Sequence, residues 1–260
     1  MKNKKSLGQN WLNDRPTLNT IAELAADVPA SALDHPPRLC VEIGPGLGTL
    51  TSSLLRCFER VLAVEFDSSL AANLPKSFPG KNLTVVNQDI LQFDFSQIQE
   101  PFVVAGNIPY YITTPIIEKL LTLPTKPQNI VLLVQKEVAQ KAVGLPSNSS
   151  FSLFIDNFAQ ASLGPIVPRN LFTPPPKVDS CVLVLTPRQA PQAYLDVLKF
   201  IHRSFTSPRK KLLTNLASFT GLPKTKLISS LNALGFSENA RPADLSLTQY
   251  INLADLLKKS

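Results

Sequence analysis

Glu42-Ile43-Gly44-Pro45-Gly46-Leu47-Gly48 follows an apolar run and precedes a predicted helix from Thr49 to about Phe58. The unit reads as strand, glycine turn, helix. Glycine tolerates positive φ and lets a ligand approach the backbone closely, so nucleotide-type ligands settle on such turns. Three of the ten glycines of the chain fall in this one stretch. A G-x-G-x-x-G dinucleotide fingerprint would place its third glycine one residue later. The G-x-G-x-G spacing, preceded by Glu42, suits S-adenosylmethionine better than NAD.

Further along, Arg60 to Phe66 reads as a second strand with Glu65 near its carboxyl end, about 20 residues past the first glycine, where a carboxylate grips ribose hydroxyls. A third strand, Leu83 to Asp89, ends in Asp89, an acceptor suited to the amine of a cofactor adenine. Singly, either acid also fits a helix cap or a solvated loop. A fourth strand, 102 to 107, closes on Asn107. Special residues thus recur at the carboxyl ends of four successive strands, where open α/β sheets bind ligands. A fifth strand spans about 129 to 135, and helical or loop segments alternate with the strands, which is a βαβ series with a parallel sheet. Phe154 to Ala161 and Ser180 to Leu185 read as two more strands with no crossover helix between them, an antiparallel hairpin at the sheet edge. The expected fold class is α/β, a Rossmann-like sheet of seven strands, followed by a small helical domain.

Asn107-Ile108-Pro109-Tyr110 carries the chemistry. The lone pair of adenine N6 is delocalised into the ring, so that nitrogen attacks poorly until acceptors hold its N–H groups. Asn107 offers a side-chain oxygen and Ile108 a main-chain carbonyl. Pro109 removes a donor and biases Ile108 towards extended geometry. Tyr110 can stack on the base. Alone, the tetrapeptide is equally compatible with a strand running into a proline turn. The expected reaction is in-line displacement at the sulfonium methyl, without a covalent enzyme intermediate or a metal.

Length and composition set the remaining bounds. The 260 residues, 44% hydrophobic, suffice for one α/β core and an appendage. No apolar run approaches the roughly 18 residues of a membrane span, and the Lys-rich start lacks a signal-type apolar stretch, so a cytoplasmic protein away from membranes is expected. Cys40, Cys57 and Cys181 show no C-x-x-C spacing, and His35 and His202 have no partner at ligand spacing, so neither a disulfide framework nor a metal site is indicated.

Charge is divided unevenly. Residues 188–260 hold 11 Lys and Arg against four Asp and Glu, whereas residues 1–187 are balanced at 15 and 15, so the second segment carries the whole +7. Its densest cluster is Arg203 with Arg209, Lys210 and Lys211. Such a cluster on a small helical domain fits a phosphate backbone, although a solvated helix face is the commoner reading of a lone charge run. Leu195, Leu198, Ile201 and Phe205, then Leu212, Leu213 and Leu216, recur at helical spacing. Pro208 after Ser207, Gly235 after Leu234, and Ser246 with Gln249 mark expected helix ends. The domains expected are 1–187 for cofactor binding and catalysis, and 188–260 for RNA.

Taken together, these motifs resemble the bacterial small-subunit ribosomal RNA adenine N6,N6-dimethyltransferase family over nearly the whole chain. Lys5-Ser6-Leu7-Gly8-Gln9-Asn10-Trp11-Leu12 is similar to the family's cofactor-capping segment, with Trp11 in place of a usual Phe. The glycine turn, Glu65, Asp89, Gly106 to Tyr111 with Thr113-Thr114-Pro115, and Gln135 to Ala139 match in order. Phe172-Thr173-Pro174-Pro175-Pro176-Lys177-Val178-Asp179-Ser180 resembles a second signature, and Leu234 to Ser246 the small helical domain. A Tyr-Gly motif common in relatives is missing between Gly144 and Phe151. The resemblance implies contacts to S-adenosylmethionine from Asn10, Leu12, Gly44, Gly46, Glu65, Asp89 and Asn107. It implies that Phe172 lies opposite Tyr110 and sandwiches the target base. It also implies dimethylation of two adjacent adenosines near the 3′ end of small-subunit rRNA, on an immature small subunit, by a monomer. An erythromycin-resistance type enzyme acting on large-subunit RNA, a DNA adenine methyltransferase and a non-catalytic RNA-binding assembly factor or transcription cofactor that keeps the fold are the alternatives.

Overall fold

The computed structural model describes residues 9–28, 37–188 and 193–258. Lys5 to Gly8 and His35 lie outside them. Two compact units are present, one built from residues up to 139 with 160–187, the other from 140–159 with 188 onwards.

The first unit is a seven-stranded sheet with flanking helices. Its strands are β2 (Leu39–Ile43), β3 (Arg60–Glu65), β4 (Leu83–Asn87), β5 (Phe102–Asn107), β6 (Ile130–Gln135), β7 (Ala159–Val167) and β9 (Ser180–Pro187). The spatial order is β4-β3-β2-β5-β6-β9-β7. β2 pairs in parallel with both β3 and β5, whereas β9 runs antiparallel to β6. The chain steps outward from β2 through β3 to β4 and then returns to the other side of β2 as β5. That reversal is the topological switch point, the place where open α/β sheets form their ligand crevice. The central strands β2, β5 and β6 are apolar along almost their whole length because helices cover both faces.

Helices α1 (Arg15–Ala26) and α2 (Thr49–Cys57) pack their buried leucines into that core with Val61, Val103 and Val131. α1 starts where Asp14 accepts from the Thr17 N–H and a proline occupies the first turn. α3 (Ser68–Asn73) begins at Asp67, whose carboxylate accepts from the main-chain N–H groups of Ser69 and Leu70. α4 (Thr113–Thr122) buries Ile116, Ile117, Leu120 and Leu121, and α5 (Lys136–Ala142) follows β6 directly. Two very short strands, β1 (Trp11–Leu12) and β8 (Phe172–Thr173), pair antiparallel, Trp11 with Thr173 and Leu12 with Phe172. A two-residue ladder leaves too little periodicity to be read from sequence.

One expected strand is a helix over most of its length. Ser150–Phe158 is α6, started by a capping box in which the Ser149 and Ser152 side chains each bond the other's main chain, and β7 begins only at Ala159. Leu153, Ile155 and Phe158 are buried, a short apolar run that strand and helix periods fit equally well.

The second unit is helical: α6 with α7 (Ala193–Ser204), α8 (Leu212–Thr220), α9 (Lys224–Ala233) and α10 (Leu247–Lys258). Its core joins Leu153, Ile201, Leu216, Leu231 and Leu253 around Tyr250, whose hydroxyl donates to the Pro242 carbonyl at 2.9 Å. Gly235 ends α9 at φ +81°, and Ser246 and Gln249 cap α10 reciprocally, as the sequence suggests. Pro208 does not open a helix. It sits in a turn closed by Lys210 N–H to the Ser207 carbonyl, and α8 starts four residues later.

Candidate active site

Ile43 and Gly106 are register partners on β2 and β5, so the glycine turn after β2 and Asn107 at the end of β5 emerge side by side at the switch point. Gly106 permits this approach. A Cβ there would stand 2.8 Å from the Ile43 carbonyl oxygen. Gly44, Gly46 and Gly48 all take positive φ, which the turn requires and side chains resist. A cavity opens at this edge, lined by Asn10, Trp11, Gly44, Glu65, Asp89 and Asn107 among others.

The acids are held in place by main-chain donors. Glu65 accepts from Gly46 N–H at 3.1 Å and from Asp67 N–H at 2.8 Å, so one carboxylate ties the glycine turn to the start of α3. Burial pushes its carboxyl up, against the pull of those two donors. Asp89 caps its own turn through Leu91 N–H at 2.9 Å. Glu42, the acid before the turn, is 1% exposed and also lines the cavity. One of its oxygens accepts from the Thr51 hydroxyl at 2.6 Å, while the other is buried without a hydrogen-bond partner. Burial, then the Glu65 charge, outweigh the Thr51 bond and push the Glu42 carboxyl up to about 8.

Asn107 is oriented by the N-terminal segment: its Nδ2 donates to the Asn10 carbonyl at 2.9 Å. The amide is thereby fixed with Oδ1 as its remaining acceptor, and no donor among the described residues occupies it. Ile108 is buried at 2% exposure, and its carbonyl likewise receives no donor among those residues. Pro109 at φ −60°, ψ 132° begins the short 3₁₀ turn Tyr110–Ile112. The Tyr110 hydroxyl is 2.7 Å from Ser180 Oγ at the start of β9, which fixes the ring, and burial pushes its phenol up.

Most of the expected residues therefore meet at one edge of one sheet: Asn10, Gly44, Gly46, Glu65, Asp89, Asn107, Ile108, Pro109 and Tyr110 all line the cavity. Leu12 and Phe172 do not. Both are in the core, at 0% and 3% exposure, joined through the β1–β8 pair. Phe66 and Ile90 line the cavity without having been anticipated, and Trp11 and Tyr111, read only as parts of matching segments, line it as well. Phe66 and Ile90 follow directly on the two strand-end acids, a spacing that could have flagged them. Arg203, Arg209, Lys210 and Lys211 are exposed in the second unit, the Arg203 guanidinium 4.6 Å from the Phe219 ring centre. No helix among the described residues is long and apolar enough to cross a membrane.

Glycines at positive φ and ordered carboxylates at or just past the ends of the next two strands fit S-adenosylmethionine, whose hydroxyls and amine need acceptors. Glu42, which also lines the cavity, keeps one buried oxygen without a hydrogen-bond partner. This fold and site define a Rossmann-like, S-adenosylmethionine-dependent methyltransferase. The model of the ribosomal RNA adenine dimethylase family matches residues 1–259, and the chain belongs to that family. It is 36% identical over 273 residues to ribosomal RNA small subunit methyltransferase A of Streptococcus pneumoniae, covering 98% of this chain and 92% of that one. The protein of that name from Macrococcus caseolyticus is 33% identical, covering 99% and 91%. Among solved structures, the 23S rRNA methyltransferase ErmE superposes with a TM-score of 0.78 at 29% identity, over 95% of this chain and 99% of its own. A dimethyladenosine transferase from Plasmodium falciparum gives 0.78 at 24% identity, over 95% and 97%, a likeness of fold.

Proposed function

We propose that this enzyme transfers methyl groups to N6 of two adjacent adenosines near the 3′ end of small-subunit ribosomal RNA, acting on an immature small subunit in the cytoplasm as a monomer. The observation that carries the reading is the fixed amide of Asn107. Because its Nδ2 is committed to the Asn10 carbonyl, Oδ1 and the Ile108 carbonyl remain as two acceptors beside the glycine turn. Two acceptors match the two N–H groups of an adenine amine.

When bound, S-adenosylmethionine supplies an electrophilic sulfonium methyl. Glu65 would hold its ribose, Asp89 its adenine amine, and Gly44, Gly46 and Asn10 its amino-acid end. Asn107 and Ile108 draw on the N6 hydrogens, restore lone-pair character to the nitrogen and stabilise the positive charge that develops there. The proton leaves to solvent afterwards, so no base of shifted pKa is required. Positioning of this kind is worth roughly 7 to 11 kcal/mol for well-oriented groups. Tyr110, its ring tethered through Ser180, offers a face for the base, a contact worth about 1 to 3 kcal/mol. To Phe172 we assign the pairing with Leu12 that keeps the N-terminal segment over the cofactor. The surplus positive charge of residues 188–260, centred on Arg203, Arg209, Lys210 and Lys211, would meet the RNA backbone.

The likeness to ErmE favours one competing substrate, large-subunit RNA. Supplying unmethylated small and large subunits in parallel, with mass spectrometry of the product nucleosides, separates them. Dimethyladenosine from the small subunit alone supports the reading; product from the large subunit alone contradicts it.

A further inference from the structure

Trp11 is the chain's single tryptophan, and it stands where the resembling family usually has phenylalanine. Pairing of β1 with β8 sets its main chain opposite Thr173, and its side chain, half-buried, lines the cavity. The ring lies over the second glycine of the turn. A Cβ placed on Gly46 would meet Nε1 at 3.0 Å and Cδ1 at 3.2 Å, and no other atom within 4 Å. The indole thus approaches the turn by its N–H edge and not by its face. An indole nitrogen only donates, so whatever it meets must be an acceptor. Among the described residues Trp11 Nε1 has none.

The charges around the cavity decide which acceptor it awaits. Glu65 and Asp89 line the cavity and repel an anion, whereas Glu42, which also lines it, keeps its proton and adds no charge. Thr49 and Leu50, which also line it, form the first turn of α2, and the residue before them, Gly48, offers no side chain to cap that turn. The positive end of α2 and the Trp11 N–H therefore flank the same glycine turn. S-adenosylmethionine carries one anionic group, the carboxylate of its methionine part.

We propose that the Trp11 indole N–H donates a hydrogen bond to that carboxylate, an anchor that a phenylalanine at this position does not provide. The inference rests on the cofactor occupying this cavity. Calorimetric titration without RNA tests it, using S-adenosylmethionine and its decarboxylated analogue, which keeps the amine and the sulfonium, on the wild type and Trp11→Phe. The substitution should weaken S-adenosylmethionine about tenfold, as expected for losing a hydrogen bond to a charged group, and leave the analogue unchanged. Equal losses for both ligands, or none, overturn the proposal and leave Trp11 as packing over Gly46. Should Trp11→Phe fail to fold, the wild type still decides. Its one indole N–H resonance should move downfield with S-adenosylmethionine and not with the analogue; an unmoved signal overturns the proposal. A wild type that binds neither ligand overturns the cofactor site itself, a distinct outcome.

Discussion

At the scale of single residues, two side chains in the site carry opposite kinds of information. Asn107 is held by a bond from its donor end, so its acceptor end is already aligned before any base arrives. Glu42 is instead a costly group. Its carboxyl is pushed from 4.5 up to about 8 because it is buried, with the Glu65 charge on β3 adding to the rise. Folded protein keeps a proton there that the unfolded chain releases above about pH 4.5, so stability falls as pH rises from about 4.5 to about 8. Glu42→Gln preserves an acceptor for Thr51 and removes that slope. The cofactor-free variant should melt several degrees above wild type at pH 8 and close to it at pH 4.5, a difference worth a few kcal/mol. Equal melting shifts at both pH values in calorimetry would rule this out.

Elements place those residues, and the decisive contact between elements is β2 against β5. Gly106→Ala would drive a methyl into the Ile43 main-chain carbonyl, where neither strand has room to move. We expect a loss of about 1 to 3 kcal/mol in denaturant unfolding, with methyl transfer falling further than stability as Asn107 shifts from the glycine turn. Unchanged unfolding would show that the two strands are not pinned as described. Strand ends were legible from sequence here because each carried a residue with a chemical reason to be there: Gly44, Glu65, Asp89, Asn107. Helix ends marked by Gly235 and by Ser246 with Gln249 were legible for the same reason. The run from Phe151 to Phe158 was not, since a capping box of two serines, and not a period, decides it. Phe172 resembles a base-stacking aromatic in the linear motif, yet its surroundings come from Leu12, 160 residues earlier, which no local pattern encodes.

On the scale of the whole molecule, charge and chemistry are separated. The unit that holds the cavity is balanced in charge, whereas residues 188–260 carry the surplus, with Arg209, Lys210 and Lys211 exposed on a turn between α7 and α8. Replacing those three with Ala should weaken RNA-particle binding and lower the steepness of its salt dependence by up to about three phosphate contacts. Cofactor affinity should stay as in wild type. An unchanged salt slope in filter binding would move the RNA contact elsewhere.

The claim that joins these scales is that Asn107, oriented by Asn10, readies an adenine amine of small-subunit RNA for methylation. Unmethylated small subunits incubated with labelled S-adenosylmethionine and either wild type or Asn107→Ala, followed by nucleoside mass spectrometry, test it most directly. Wild type should yield N6,N6-dimethyladenosine, and Asn107→Ala should lose about 10²-fold or more in rate with cofactor affinity nearly unchanged. Dimethyladenosine formed by Asn107→Ala at the wild-type rate would contradict it.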